Sequence, residues 1–212
     1  MNLKRDQVPP DQAENWALNM QDELSRSFNL LETPIILHRE TYLKLSRENE
    51  NRLRIYLGLE PKMKADQYVL CAYAVSCFLF GNGDVFRDYE NPVIKLTREN
   101  VDYSSKVSEA IDNIKRYQQW QKGELDSENK WARFRKFIYP KAFLLSKFEL
   151  HEIFNIQNRS EAQISFGMAK TMKAMIYPDV KEKRPTDDQS MVFDFSDPCP
   201  PICDESSIFY TK

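Results

Sequence analysis

Three stretches of this chain hold side chains of the kinds that do chemistry. In the first, Asp84, Arg87 and Asp88 follow the turn Gly81-Asn82-Gly83. Two carboxylates so close together can hold Mg2+ or divide acid and base between them. The competing reading is structural. An aspartate at a glycine turn serves the turn through its own side chain, and an arginine beside two aspartates forms an ion pair. No triad or metal cluster accompanies these residues, so an enzyme is not the first expectation.

The second stretch, 130–147, reads KWARFRKFIYPKAFLLSK. It carries Lys130, Arg133, Arg135, Lys136, Lys141 and Lys147 and no acid, interleaved with Trp131, Phe134, Phe137, Tyr139 and Phe143. Single-stranded nucleic acid is held by such a mixture, charge following the phosphates and rings stacking on bases. The spacing of Trp131, Phe134 and Ile138 also fits an amphipathic helix with its aromatics in a core and its cations in water.

The third is Cys199-Pro200-Pro201-Ile202-Cys203 near the C-terminus. Zinc knuckles use C-x2-C and about four ligands. Here the spacing is C-x3-C and no histidine lies within forty residues, so no metal is expected. In a reducing compartment a disulfide between the two is disfavoured as well. The prolines instead stiffen an extended peptide, which lowers the ordering cost of docking in a groove. Phe193, Phe195, Phe209 and Tyr210 around it are apolar anchors that a purely solvating tail would not carry. The two histidines add nothing: His151 in FELHEIF has Glu149 and Glu152 beside it, off its helical face, and His38 follows an apolar run.

Composition narrows the classes further. The chain has 212 residues and a net charge of -2, which excludes a polybasic nucleic-acid binder. At this length one large domain can bury about 70% of the surface its unfolded chain exposes. Five glycines leave no G-x-G-x-x-G and no G-x-x-x-x-G-K-[ST] phosphate loop. No apolar run approaches the ~20 residues that span a bilayer. The start is polar without an apolar h-region. The expected setting is the cytoplasm, with no membrane.

The elements that must position these residues follow from periodicity. Ala13, Trp16, Ala17, Met20, Leu24 and Leu31 recur at helical spacing, with Asp11 to cap the helix and Thr33-Pro34 to end it. Leu53, Ile55, Leu57 and Leu59 alternate with Arg54, Tyr56 and Gly58, which predicts a half-buried strand. The apolar run 68–80 fits a second strand paired with it, although a buried helix fits too. Residues 92–96 predict an edge strand, and residues before 47 either extend the sheet or close a short helix. Beyond residue 104 the pattern predicts helices. One runs from Ser104 or Ser105 through Val107, Ala110, Ile114 and Tyr117. Others open at Ser127, run from Ala142 to Ile156, and pass from a capping box at Ser160 and Gln163 through Ile164, Met168, Met172 and Met175. From residue 178 on there are four basic and eight acidic side chains and five of the eleven prolines.

RLRIYLG, ending at Gly58, together with FDFSDPCPPICD, ending at Asp204, resembles a set of small uncharacterised bacterial proteins, mainly from the Bacteroidetes. A strand with R-I-Y-x-G and a tail with P-C-P-x-x-C recur in them. The resemblance covers about a quarter of the chain. It implies a bacterial cytosolic origin and a small sheet, and it implies no activity.

Together these readings predict an α+β body dominated by helices, with a small antiparallel sheet over about residues 41–97 and an extended Pro-rich C-terminal tail. Residues 1–177 form one globular domain, and 178–212 an extended or disordered acidic tail. The expected function is non-enzymatic: protein interaction or assembly, with the tail docking on a protein partner or a neighbouring subunit. Phe193, Phe195, Cys199, Pro200, Pro201, Cys203, Phe209 and Tyr210 would carry it. The alternative is a nucleic-acid-associated accessory protein using Lys130, Arg133, Arg135, Lys136, Lys141 and Lys147. No cofactor is expected for either.

Overall fold

The computed structural model describes residues 7–26, 30–32, 35–46, 52–62, 68–81, 85–101, 104–125, 138–145, 147–178, 192–194, 196–200 and 203–210. In chain order these form β1 (Gln7–Val8), α1 (Pro10–Arg26), β2 (Leu30–Glu32), β3 (Ile35–His38), α2 (Arg39–Leu45), β4 (Arg52–Pro61), β5 (Tyr68–Leu79) and β6 (Phe86–Lys95). Then come α3 (Val107–Lys122), β7 (Ala142–Leu145), α4 (Lys147–His151) with a π-helical turn (Glu152–Ile156), β8 (Glu161–Met168), β9 (Met172–Tyr177), β10 (Val192–Phe193) and β11 (Ser196–Cys199). Among the described residues no helix is long and apolar enough to cross a membrane.

Alternation builds two sheets. One has the order β1-β10-β9-β8-β3, the other β11-β7-β4-β5-β2, with β6 also on β5. β4 and β5 form a long antiparallel hairpin from Arg52 opposite Cys77 to Pro61 opposite Tyr68. β2 and β6 share the other side of β5, β2 in parallel against residues 68–70 and β6 antiparallel beyond Tyr73. Leu53, Ile55, Leu57 and Leu59 of β4 meet Ile164, Phe166, Ala174 and Ile176 of β8 and β9 in one core between the sheets. Phe143 and Phe166 stack across it with centroids 5.8 Å apart. Each such aliphatic side chain withdrawn from water contributes ~1.5–3 kcal/mol.

The outer faces are covered by helices. α1 lays Ala13, Trp16 and Ala17 against Val8, Met175 and Val192 on the five-stranded sheet. It comes so close over Gly167 that a Cβ there would lie 2.7 Å from Trp16 Cβ. α3 lays Ala110 and Ile114 against Tyr56, Tyr73 and Val75 on the six-stranded sheet. Below it, a Cβ on Gly58 would meet Cys71 Sγ and the Tyr73 ring at 3.0 Å and Asn113 Cβ at 3.3 Å. α3 ends at Gly123, whose φ of 77° is the left-handed cap conformation. The order of layers is helix, sheet, sheet, helix.

This corrects the expected helix-dominated α+β class with one small sheet: among the described residues strand accounts for 42% and helix for 31%. The stretch expected as a helix from Ser160 through Met175 is the β8/β9 hairpin, with Ile164 opposite Ile176 and Met168 opposite Met172. Ile164, Met168, Met172 and Met175 satisfy a spacing of three and four. Ala162, Ile164, Phe166 and Met168 equally satisfy a period of two, and the flat face of the second sheet selects the latter. Likewise the start of the expected helix from Ala142 is β7, paired with β4. Residues 39–45 take the helical alternative as α2, and the small sheet is the centre of a larger one. The expected extended C-terminal tail places β10 between β1 and β9 in one sheet and β11 on β7 in the other. The helix expected to open at Ser127 lies largely outside the described residues.

Candidate functional site

The densest chemistry lies on the outer face of the six-stranded sheet, beside α3. The period of two along β4 turns Arg54 and Tyr56 to this face, and both are 0% exposed. The face expected to be wet is a second interior. Cys77 of β5 and Asp88 of β6 stand opposite each other, and the ladder then slips: Val75 is opposite Val93, so Tyr89, Glu90, Asn91 and Pro92 bulge out beside Ser76.

The Asp88 carboxylate is met by donors. Arg54 Nη1 donates to its Oδ1 at 2.5 Å, and Nη2 donates to the Phe86 carbonyl at 3.1 Å. The Tyr56 hydroxyl donates to Asp88 Oδ2 at 2.5 Å, and the Cys77 thiol lies 3.3 Å from Oδ1. The Arg54 and Asp88 side chains are 0% and 1% exposed. Burial pushes the Asp88 carboxyl upward against the pull of Arg54 and the hydroxyl and thiol donors. Burial, then the Asp88 charge, raises both the Tyr56 hydroxyl and the Cys77 thiol, which keeps their protons on and their donor roles intact.

The cluster is roofed by the C-terminal segment. Past β11, a disulfide joins Cys199 to Cys203. Asp204 then accepts the Asp88 backbone N–H at 2.8 Å on Oδ2, and the Ser206 N–H and hydroxyl at 3.0 and 2.6 Å on Oδ1. Burial raises the Asp204 carboxyl, but the hydrogen bonds from Ser206 and Asp88 outweigh it and hold it below its ordinary value. The Ser207 hydroxyl lies 3.4 Å from the Tyr56 oxygen. Phe209 is 1% exposed and lies against the Tyr56 ring, centroids 5.4 Å apart. Gln118 of α3 donates to its carbonyl at 3.0 Å. The Lys141 ammonium sits 3.7 Å over the Tyr210 ring.

The residues expected from sequence are distributed unevenly over this site. Cys199, Cys203, Phe209 and Tyr210 form the roof, Pro200 is exposed at its bend, and Phe193 belongs to β10. Phe195 and Pro201 lie outside the described residues. The disulfide, disfavoured on compartment grounds, corrects that expectation: β11 and the bend at Pro200 bring the two cysteines together. Of the basic stretch, Lys130, Arg133, Arg135 and Lys136 lie outside the described residues, Lys147 begins α4, and Lys141 is engaged by Tyr210. Asp84 lies outside as well. Arg87 sits over the Phe80 ring at 3.9 Å. Asp88 pairs with Arg54, not Arg87, and both of its oxygens face donors inside the protein. Its carboxylate is a buried charge paired within the protein. Arg54, Tyr56, Cys77, Asp204 and Ser207 escaped sequence reasoning. Their one trace was the R-I-Y-x-G motif, which contains the first two. His38 is buried with Nε2 3.0 Å from the Thr97 carbonyl, and His151 is exposed beside Asn155. Among the described residues no three His, Cys, Asp or Glu side chains converge as a metal site.

No family model matches the chain, and no curated protein or solved structure was found to be similar to it.

Proposed function

We propose that the protein is a non-enzymatic interaction and assembly protein whose C-terminal segment is its docking element. The segment 192–210 seats on its own body and exchanges onto the equivalent seat of a neighbouring subunit. The observation that supports this most is the form of the seat. The segment adds one strand to each sheet and drops Phe209 against Tyr56. Strand addition plus an anchored aromatic is how proteins recognise extended peptides, whether supplied by the same chain or by another.

Light scattering on the full chain, on a chain lacking residues 185–212, and on the shortened chain with peptide 192–212 added back tests the reading. An assembly lost on deletion, together with capture of the peptide, is expected. Assembly unchanged by the deletion, or a full chain that is monomeric and a shortened chain that ignores the peptide, would overturn it.

A further inference from the structure

We propose that the disulfide between Cys199 and Cys203 is a thiol-exchange site opened by a dithiol, and that opening it unlatches residues 203–210 from the ionic cluster. The inference rests on the docking reading above and adds what controls it.

The two sulfurs are unequal. Cys199 is 1% exposed, lies in β11 opposite Ala142, and its carbonyl accepts the Lys141 N–H at 2.9 Å. Cys203 is only half-buried and belongs to no strand. An incoming thiolate therefore reaches Cys203 first. It bonds to Cys203 Sγ as the S–S bond breaks. The electron pair leaves on Cys199 Sγ, which takes up a proton. The second thiol of the same dithiol, as its thiolate, then attacks its partner sulfur and releases Cys203, which is protonated in turn. One protein disulfide and one dithiol become two protein thiols and one cyclic disulfide, with two electrons and two protons transferred. The remaining cysteines stay out of the exchange. Burial pushes the Cys71 thiol up to about 12 and the Cys77 thiol well above its ordinary value, so neither supplies a thiolate.

Position gives the exchange its consequence. Cys203 immediately precedes Asp204, whose carboxylate holds the Asp88 N–H at 2.8 Å. While the disulfide is closed, Asp204, Ser207 and Phe209 start from a point covalently fixed to the sheet edge. Once it is open, they are tethered to the sheet edge only through the main chain and must find their seats again, at a higher entropic cost.

The test compares the full chain, oxidised and after dithiothreitol, by alkylation mass, hydrogen exchange and light scattering. Two more alkylated cysteines are expected after treatment. Peptides spanning 203–210 and Asp88 should exchange about tenfold faster, with the β4 and β5 peptides unchanged. The double variant Cys199→Ser, Cys203→Ser should show the same pattern without reductant. Equal exchange in both states, a whole six-stranded sheet that loosens together, or an oxidised chain whose four cysteines all alkylate would overturn the latch. Light scattering separates the two readings. Local loosening with no change of mass sustains the latch and removes strap exchange between subunits. Assembly through the segment that ignores dithiothreitol does the reverse.

Discussion

The two outer faces of the sandwich are closed by the same geometry and opposite chemistry. On the five-stranded sheet, α1 descends over Gly167 and the contact is mainly apolar: Val8, Ala13, Met175 and Val192, with Trp16 at the edge and Asn19 Nδ2 donating to the Met168 carbonyl at 3.0 Å. On the six-stranded sheet, α3 descends over Gly58, but beside it lie a buried ion pair, a tyrosine, a thiol and a carboxylate brought in by the far end of the chain. Apolar packing is non-directional, so the first cover tolerates small shifts. The second depends on directional donor–acceptor contacts, and losing a partner in that interior is costly. The cover built by the C-terminus is the conditional one.

Breaking the ion pair should have the largest effect. Arg54→Ala leaves the Asp88 carboxylate buried without its cation, and a loss of ~3–5 kcal/mol in urea unfolding is expected. Arg54→Met combined with Asp88→Leu removes both charges and should be more stable than Arg54→Ala. A double variant no better than the single would erase the distinction between the faces. Phe209→Ala comes next at ~3 kcal/mol, similar to Met175→Ala on the other face. Only Phe209→Ala should speed hydrogen exchange around Asp88, which sharpens the comparison from stability to location. Gly167→Ala forces the new methyl onto Trp16 and should cost ~1–3 kcal/mol, and Gly58→Ala should cost less because a thiol and a ring edge are the nearest obstacles. Circular dichroism melts would order the pair.

The smallest effect is tied to pH. Asp204 titrates below its ordinary value, so its contribution is full above the usual carboxyl value near 3.9 and is lost as pH falls through its lower folded value. Asp204→Asn should therefore lower stability by ~1 kcal/mol at neutral pH, and the two chains should converge below about pH 4. Taking the difference between them cancels the opposite drift of Asp88, whose carboxyl burial pushes up. Parallel curves down to pH 2 would show that Asp204 holds nothing that depends on its charge.

Much of the central hairpin was legible before any coordinates. Leu53, Ile55, Leu57 and Leu59 alternate, so β4 follows from local pattern, whereas the run through residues 68–80, apolar on both faces, fitted a buried helix as well and becomes β5 through its pairing with β4. The helix through Ala110, Ile114 and Tyr117 is legible in the same way. The β8/β9 hairpin was not, since methionines at 168, 172 and 175 fit a helical stripe and only a facing sheet breaks the tie. At the site, Phe209, Tyr210 and the two cysteines stood out as apolar or reactive groups in a polar tail. Arg54 and Tyr56 did not: in an alternating strand they occupy the positions where polar residues ordinarily meet water.

The sequence alone determined which side chains alternate, where prolines and glycines interrupt them, and that the C-terminal segment carried anchors worth seating. Tertiary structure decided that both faces of β4 are interior. It made Asp88 the partner of Arg54, 34 residues away, and brought Asp204 to the Asp88 amide across 116 residues. Periodicity reports only neighbours along one element. Ion pairs and strand additions join groups that chain distance separates, and their stability comes from a desolvated interior that exists only once the sheets have closed.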